Sequence, residues 1–305
     1  MVPVPEFYCS RVETWQQAAV LIGSAAWLGA CGGDKRDSGL TCPTWGDPVA
    51  VAGVETDGLT EASGLVVSLQ HAGVLWTHND DGDADGELYA LALDGSVQGT
   101  LTLQGASPVD WEAVAVRSTG TTSQLVIGDV GDNEANRDRV AVLMTPEPET
   151  LSESMDAAVV ERIEFTLPGG AVDVEGMLVD PSTGRLLLFT RAADRTEVFA
   201  VDLSEATPEP DRVALIDLDG SVYAGLGSVR GADVSSDGSV VLRLTDGVVW
   251  FPGAGSAVDA IQGSPCLVPS PPEENGEAVA VVGEDLYFIG EGNRPDLWRV
   301  ARGVS

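Results

Sequence analysis

The chain has 305 residues, of which 48 are acidic and 16 are lysine or arginine, so its formal net charge at neutral pH is −32. A surface of this charge repels nucleic acid and anionic membrane lipid and attracts cations, which excludes nucleic-acid binding as the function. The acidity by itself also fits solubility or adaptation to salt. A chain of this length can form one large all-β domain behind a leader.

The N-terminus predicts export. The stretch from Ala18 to Ala30 is uncharged and shorter than the ~20 residues that span a bilayer, as in a secretory signal. It ends in Leu28-Gly29-Ala30-Cys31, which is typical of a bacterial lipobox. We therefore expect a lipoprotein signal peptide over residues 1–31 with lipid on Cys31, a flexible tether over 32–46 and one domain over 47–305. An ordinary cleaved signal and an uncleaved anchor are the alternatives.

Segments that begin with a glutamate and a small residue recur along the rest of the chain. They start at Glu61, Glu112, Glu175 and Glu277, with a degenerate copy at Gly231. Self-similarity at a spacing of roughly 50 residues is the signature of a propeller. The sequence therefore predicts an all-β β-propeller with five four-stranded blades, and six blades if one of the longer repeats hides an extra half.

Short apolar, often alternating runs between Gly, Asp, Pro and Asn turn signals predict the strands. In the first three repeats these are residues 64–69, 74–78, 87–93, 96–103, then 112–117, 124–128, 139–144, 160–167, then 174–179, 185–190, 197–203 and 212–218. In the last two they are 232–235, 239–244, 247–251, a weak strand near 258–262, then 277–282, 285–289 and 296–301. Residues 149–160 are the one stretch after residue 45 that favours a turn of helix.

The fifth repeat lacks a fourth strand, while the apolar run from Val49 to Val54 has no sheet of its own. Pairing of this run with the last strand would close the ring and remove an open sheet edge. Cys42 precedes the closing run and Cys266 leads into the fifth repeat. If Cys31 carries lipid, they remain as an even pair in an oxidising compartment, and we predict a disulfide between them.

The first strand of each blade lines the channel of a propeller, so the repeated glutamates should converge near one mouth. These are Glu61, Glu112, Glu175 and Glu277. Carboxylates brought together repel one another, and Ca²⁺ takes six to eight oxygen ligands of this kind. The pattern therefore predicts a calcium site. Alternatively, the glutamates accept hydrogen bonds from backbone N–H groups or pair with Arg117, Arg191 or Arg230.

A second candidate calcium site lies in the first blade. Asp81, Asp83 and Asp85 followed by Gly86 match the first half of a calcium loop, although the twelfth position is Ala92 instead of glutamate. A solvated turn explains the same residues, since Asp and Gly are good turn formers.

Polar side chains in the hairpins beside the channel mouth predict a site for a polar ligand. They are His78, Asn79, Asp80, Asp129, Asp132, Asn133, Arg191 and Glu291. Nucleophilic catalysis has little support, because the chain has two histidines and no G-x-S-x-G motif. Cys/His metal clusters, phosphate loops and dinucleotide fingerprints are also absent from the sequence.

Several motifs resemble a family of exported bacterial propellers that is loosely similar to phytase-like β-propellers. They are Ser63-Gly64, Val74-Leu75-Trp76-Thr77-His78-Asn79-Asp80, Asp110-Trp111-Glu112-Ala113, Ile127-Gly128-Asp129-Val130-Gly131-Asp132-Asn133 and Pro146-Glu147-Pro148. The resemblance covers about residues 57–300 and implies that the four repeated glutamates correspond to calcium-facing positions. The chain departs from phytases in lacking evident basic substrate-binding side chains.

We therefore predict an exported, lipid-anchored propeller that acts as a binding or scaffold module with a calcium site. The expected partner is a polar small molecule or an envelope protein, the membrane is reached through the anchor alone, and we expect a monomer. The localisation is the cell envelope, with the outer membrane or cell surface favoured because Gly32 follows Cys31. The alternative is a calcium-dependent hydrolase of phosphoester, lactone or ester substrates.

Overall fold

The computed structural model describes residues 42–80, 86–159, 161–220, 222–273 and 275–303. These residues form an all-β ring of five mainly antiparallel blades, with one short helix. The first blade contains β2 (Ala62–Val67), β3 (Val74–Asn79), β4 (Glu87–Ala92), β5 (Val97–Gln104) and an added β9 (Ser154–Ala158). The second contains β6 (Trp111–Ser118), β7 (Ser123–Asp129), β8 (Val140–Pro146) and β10 (Glu161–Phe165).

The third blade contains β11 (Val174–Val179), β12 (Leu186–Thr190), β13 (Arg195–Val201) and β14 (Asp211–Asp217). The fourth contains β15 (Val229–Val234), β16 (Val240–Leu244), β17 (Gly247–Phe251) and β18 (Cys266–Val268). The fifth contains β19 (Gly276–Val282), β20 (Asp285–Gly290), β21 (Asp296–Val300) and β1 (Val49–Gly53). The prediction of a five-bladed propeller is confirmed. The described residues include no helix long and apolar enough to cross a membrane.

The core lies between the blades. Each of five clusters of buried apolar side chains draws on two neighbouring sheets, as with Trp76 and Ile127 between the first and second blades. The innermost strands β2, β6, β11, β15 and β19 neighbour one another around the axis. Because burial of apolar area between sheets is the main favourable term, each blade depends on both of its neighbours.

The ring closes as predicted through the N-terminal strand. β1 pairs antiparallel with β21, with Val49 opposite Arg299, and Trp45 forms a further bridge to Arg302. A disulfide joins Cys42 to Cys266, 224 residues apart. Cys266 begins the outer strand of the fourth blade, so the disulfide ties the closing segment to the fourth blade as well as the fifth.

Two local predictions are wrong. The weak strand expected near 258–262 is a helix, α1 (Ala257–Ile261), because Ser256 caps it by accepting a 3.1 Å hydrogen bond from the Asp259 N–H. The last strand of that blade is β18 instead. The helical turn expected within 149–160 is the strand β9, which pairs in parallel with β5. Exposure alternates along β9, with Met155 buried between exposed residues, which is the strand period.

A buried carboxylate joins the first two blades. Glu147, which follows β8, accepts hydrogen bonds from the hydroxyls of Ser68 and Ser123 and a 3.0 Å bond from the indole N–H of Trp76. The side chain is almost fully buried. Loss of this carboxylate would remove the hydrogen-bond acceptor of three buried donors. The free-energy penalty of burying unsatisfied donors exceeds the loss of the hydrogen bonds alone.

The substitution Glu147→Ala is therefore expected to lower the free energy of unfolding by about 3 kcal/mol. The measurement is urea unfolding followed by tryptophan fluorescence. Glu149→Ala is the matched control, because Glu149 is exposed and two residues away; it should change stability by less than about 0.5 kcal/mol. Equal effects of the two substitutions would contradict the role of Glu147 as a buried hydrogen-bond acceptor that joins the first two blades.

Removal of the disulfide in a Cys42→Ser, Cys266→Ser double variant should also destabilise the fold. Closing a loop of more than 200 residues stabilises a protein by roughly 4 to 5 kcal/mol in the loop-entropy model, before any strain. Urea unfolding of this variant, beside the oxidised and the reduced parent protein, measures the effect. Equal stability of all three forms would show that the β1 and β21 pairing closes the ring without help.

Candidate functional site

A β-bulge occurs at the same level in all five innermost strands. The pairing register of each with its neighbour shifts by one residue near the strand's start. A bulge leaves one residue unpaired and changes the direction in which its side chain points. The residues at these five bulges are Gly64, Glu112, Glu175, Arg230 and Glu277.

The bulges correct the predicted ring of glutamates at two blades. In the first blade Gly64 takes the bulge position, and Glu61 lies three residues earlier, before β2. A side chain is excluded at Gly64, because its φ is +23° and a Cβ would lie 2.5 Å from the Val114 nitrogen. In the fourth blade the bulge residue is Arg230, not the predicted Gly231. The five bulge positions therefore hold three glutamates, one arginine and one glycine.

Three carboxylates meet at the channel mouth. One oxygen from each of Glu112, Asp173 and Glu175 lies within 4.8 Å of the others, and both glutamates are buried. Asp173 was not predicted. The sequence carried a signal for it, since Asp110-Trp111-Glu112 and Asp173-Val174-Glu175 repeat an Asp-x-Glu pattern in successive blades. We call the carboxylates at this end the acidic mouth: Asp110, Glu112, Asp173, Glu175 and Glu277.

Two arginines neutralise part of this charge. Arg191 donates to Glu175, contacts Asp173 at 3.4 Å and donates to Asn133 at 2.8 Å. Arg230 lies 3.4 Å from Glu277 and 3.6 Å from Glu175. Pairing with arginine, the predicted alternative, thus holds for Glu175 and Glu277. Among the residues that the structure describes, no arginine or histidine forms an ion pair with Glu112.

Burial and mutual repulsion disfavour the ionised forms of Glu112, Glu175 and Glu277. Burial, followed by the charge of Glu175, raises the pKa of Glu112 well above its usual value. Burial, followed by the charge of Asp173, raises the pKa of Glu175 to about 7 although Arg191 opposes the shift. The pKa of Glu277 rises to about 8, again mainly through burial. A cation that kept these groups ionised would relieve both burial cost and repulsion.

Some of the predicted polar ligand residues border the acidic mouth. Arg191 and Asn133 form the hydrogen-bonded pair described above. Asp80 is close enough that its charge contributes to the raised pKa of Glu112. Glu291 accepts a 3.1 Å bond from Asn275, the residue that precedes β19.

Other predicted ligand residues form hydrogen bonds or ion pairs within the fold. Asp129 is fully buried between Arg137 at 2.8 Å and Arg162 at 3.4 Å. Asp132 accepts hydrogen bonds from two backbone N–H groups of its own loop. Asn79 accepts from the N–H groups of residues 60 and 61 and donates to a backbone carbonyl, which fixes the turn before β2.

His78 lies in the core and not at the mouth. It is fully buried with its ring edge-on to Trp111, and burial lowers its pKa to about 4, so it stays neutral at neutral pH. Cys31 and the predicted calcium loop residues Asp81, Asp83 and Asp85 lie outside the described residues.

Comparisons with known proteins support the fold. No family model matches the chain, and no curated protein matches it. Among solved structures, the major allergen Mala s 1 of Malassezia sympodialis is 13% identical with a TM-score of 0.52, covering 84% of this chain and 96% of the allergen. A gluconolactonase from Xanthomonas campestris is 11% identical with a TM-score of 0.45, and the match covers 84% of this chain and 89% of the gluconolactonase.

A luciferin-regenerating enzyme is 8% identical with a TM-score of 0.48, covering 85% of this chain and 98% of the enzyme. The likeness to the allergen, at 13% identity, supports the fold alone. The predicted resemblance to exported propellers stays a prediction.

The raised pKa values make stability fall as pH rises. A carboxyl whose pKa is higher in the folded than in the unfolded protein stabilises the fold at low pH, and this contribution is lost as pH rises through the folded value. For Glu277 this contribution is lost as pH rises from about 4.5, its usual pKa, to about 8, its pKa in the folded protein. In EDTA, Glu277→Gln should therefore lose about 3 to 4 kcal/mol less unfolding free energy than the parent between pH 5 and 8, since one pKa unit is ~1.4 kcal/mol.

The measurement is urea unfolding at several pH values. Glu161→Gln on the exposed outer strand removes the same charge and is expected to follow the parent's pH profile. If the two variants have the same profile, the carboxyl of Glu277 is not held in its neutral form.

Proposed function

We propose that this protein is a divalent cation-binding propeller whose acidic mouth binds Ca²⁺ through Glu112, Asp173 and Glu175. The observation that carries the proposal is the approach of one oxygen from each carboxylate to within 4.8 Å of the others. Oxygens that ligate one Ca²⁺ ion lie 2.3–2.6 Å from it and hence at most about 5 Å from one another. The three oxygens fit that limit, and carboxylates are the hard ligands that this ion takes.

The charge balance also supports a cation. The acidic mouth contains five carboxyl groups, and Arg191 and Arg230 supply two positive charges beside them. Three negative charges remain if all five ionise. Glu112, which has no arginine partner among the described residues, belongs to the three-carboxylate cluster. A bound Ca²⁺ would neutralise two of the three charges without a change in fold.

A cation at this place would present a binding surface for a polar ligand. Three protein carboxylates leave positions of a six- to eight-coordinate ion open to ligand oxygens. The Arg191 side chain is 31% exposed and that of Arg230 is 21% exposed, so both remain accessible beside the cluster. A small molecule with anionic or carbonyl oxygens fits this combination, which makes a binding module the function that we favour.

We propose that the protein acts outside the cytoplasm as a lipid-anchored component of the cell envelope. The lipobox-like sequence that ends at Cys31 is the sequence support. The disulfide between Cys42 and Cys266 gives further support, because disulfides persist mainly in oxidising compartments.

A second candidate function is hydrolysis of a phosphoester, lactone or ester with the help of the cation. It is favoured by the pKa of Glu277, about 8, at the same mouth, because Glu277 is not one of the three carboxylates assigned to the cation. Carboxyl groups in this range take up and release protons near neutral pH, as a general acid or base must. The cation when bound would polarise a substrate oxygen.

Calorimetric titration of the chelator-treated protein with Ca²⁺ tests the proposal. The parent protein should bind Ca²⁺, and at one hundred times the dissociation constant the added ~2.7 kcal/mol should raise the thermal midpoint by a few degrees. Glu112→Gln should weaken binding at least tenfold, because it removes a charged ligand but keeps the shape. Glu161→Gln, the same change on an exposed strand, should bind as the parent does.

Failure of the parent to bind Ca²⁺, or equal binding by Glu112→Gln, would contradict the proposal. A panel of phosphoester, lactone and ester substrates separates the two functions. Turnover that is lost in Glu112→Gln and in Glu277→Gln but not in Glu161→Gln would establish hydrolysis, and calcium binding without turnover leaves the binding module.

A further inference from the structure

A cavity of about 620 Å³ lies at the other end of the innermost strands. Residues from all five of these strands or their ends line it, and most of the strand residues are apolar. They include Val66, Leu69, Ala115, Val116, Val179 and Val281. Ligand pockets in proteins typically have volumes of 300–1,000 Å³ and mainly apolar walls with a few placed polar groups. Both the size and the lining therefore suit a small organic molecule.

The cavity is separate from the acidic mouth. Glu112 lies at the start of β6, whereas Val116 on the same strand lines the cavity four residues later, at a distance of about 13 Å along the strand. None of the five carboxylates of the acidic mouth lines the cavity.

One buried carboxylate belongs to the cavity wall. Asp233 on β15 is 7% exposed, and its Oδ2 accepts a 2.7 Å hydrogen bond from the N–H of Val281 on the adjacent innermost strand. Within the described part of the chain, Asp233 forms no ion pair. Burial raises its pKa to about 7. A carboxylate in this position is poorly solvated and has no ion-pair partner among the described residues.

The other two charged residues on the wall are already engaged. The guanidinium of Arg117 donates to Gln124 at 2.9 and 2.7 Å. The carboxylate of Asp180 accepts from Ser182 on one oxygen and from the Ala257 N–H on the other. Asp180 also forms no ion pair among the described residues, but hydrogen bonds engage both of its oxygens. Asp233 differs from it because the bond from Val281 engages Oδ2 alone, which makes Asp233 the wall carboxylate better suited to a cation.

We propose that this cavity binds a protonated organic amine, with the ammonium group on Asp233 and the apolar body against the valines. A buried carboxylate is stabilised when a cation pairs with it, and the apolar body gains from removal of its surface from water. The net charge of −32 also attracts cations and repels anions of the same shape. The amine class follows from this combination of an apolar wall and a buried carboxylate that forms no ion pair among the described residues.

The competing explanation is structural. The innermost strands have one edge toward the channel, and Asp233 satisfies the Val281 N–H on such an edge. This role needs a hydrogen-bond acceptor but no charge, so Asp233→Asn retains it. The substitution therefore separates acceptance of the hydrogen bond from attraction of a cation.

The test is calorimetric titration in EDTA at pH 8 with three probes of equal chain length: octylammonium, 1-octanol and octanoate. The presence of EDTA makes the result independent of any calcium site. Octylammonium should bind at least tenfold more tightly than either other probe, and Asp233→Asn should remove this preference. Glu161→Gln, on the outer strand of the second blade, should bind as the parent does.

A second variant keeps the test decisive if Asp233→Asn does not fold. Ser236 is an exposed residue at the rim of the cavity, and Ser236→Trp should block entry and weaken octylammonium binding at least tenfold. No binding of octylammonium up to millimolar concentration, equal binding of octanoate, or full binding by Ser236→Trp would overturn the proposal. So would a preference that persists in a folded Asp233→Asn variant.

Discussion

Antiparallel pairing between β1 and β21 is the interaction on which the rest of the structure depends. The chain supplies three strands to the fifth blade at its C-terminal end and the fourth strand from its N-terminal end. Without β1, the strand β21 would be an open sheet edge. Because every apolar cluster is shared between neighbouring blades, a ring with one incomplete blade would also weaken the packing on both sides of it. The disulfide holds the same junction from the fourth blade.

Closure has an electrostatic consequence at the channel. It brings the five bulges to one level along the channel. Arg230, at the bulge of the fourth blade, lies beside Glu175 and Glu277, at the bulges of the two neighbouring blades. The arginine therefore compensates charge on both of its sides. Glu112 lies farther round the ring, beside Asp173 and Glu175, where carboxylates outnumber arginines. The opposite end of the same strands is apolar apart from a few polar groups, so one channel has two ends of different chemistry.

The sequence predicted the fold well because its signals are local patterns together with a repeat at a spacing of roughly 50 residues. Strand periodicity, turn residues and the missing strand of the last repeat led to five blades, the closing strand and the disulfide. The helix at residues 257–261 was missed because buried residues at positions 257, 260 and 261 give an apolar pattern that a short strand shares. The strand β9 was missed because its partner β5 lies some fifty residues earlier in the chain.

The site was predicted less well, since its geometry depends on register. A bulge adds one residue to a strand, and the repeated Glu-small pattern did not reveal it. Glu61 was therefore assigned to the position that Gly64 holds, and Arg230 was aligned one residue away from its true equivalents. Asp129 and Asp132 had the composition of ligand residues, but Arg137, Arg162 and local N–H groups engage them in the fold. Sequence gives residue types, whereas these partners come from tertiary structure.

The central claim is that the acidic mouth holds a divalent cation. The most direct test is anomalous diffraction from crystals grown with Mn²⁺ as a substitute for Ca²⁺, with crystals grown in EDTA for comparison. The account predicts an anomalous peak bounded by Glu112, Asp173 and Glu175, with metal to oxygen distances appropriate to the ion. Absence of a peak there in manganese-saturated crystals, with the carboxylates satisfied by Arg191 and water alone, would contradict it.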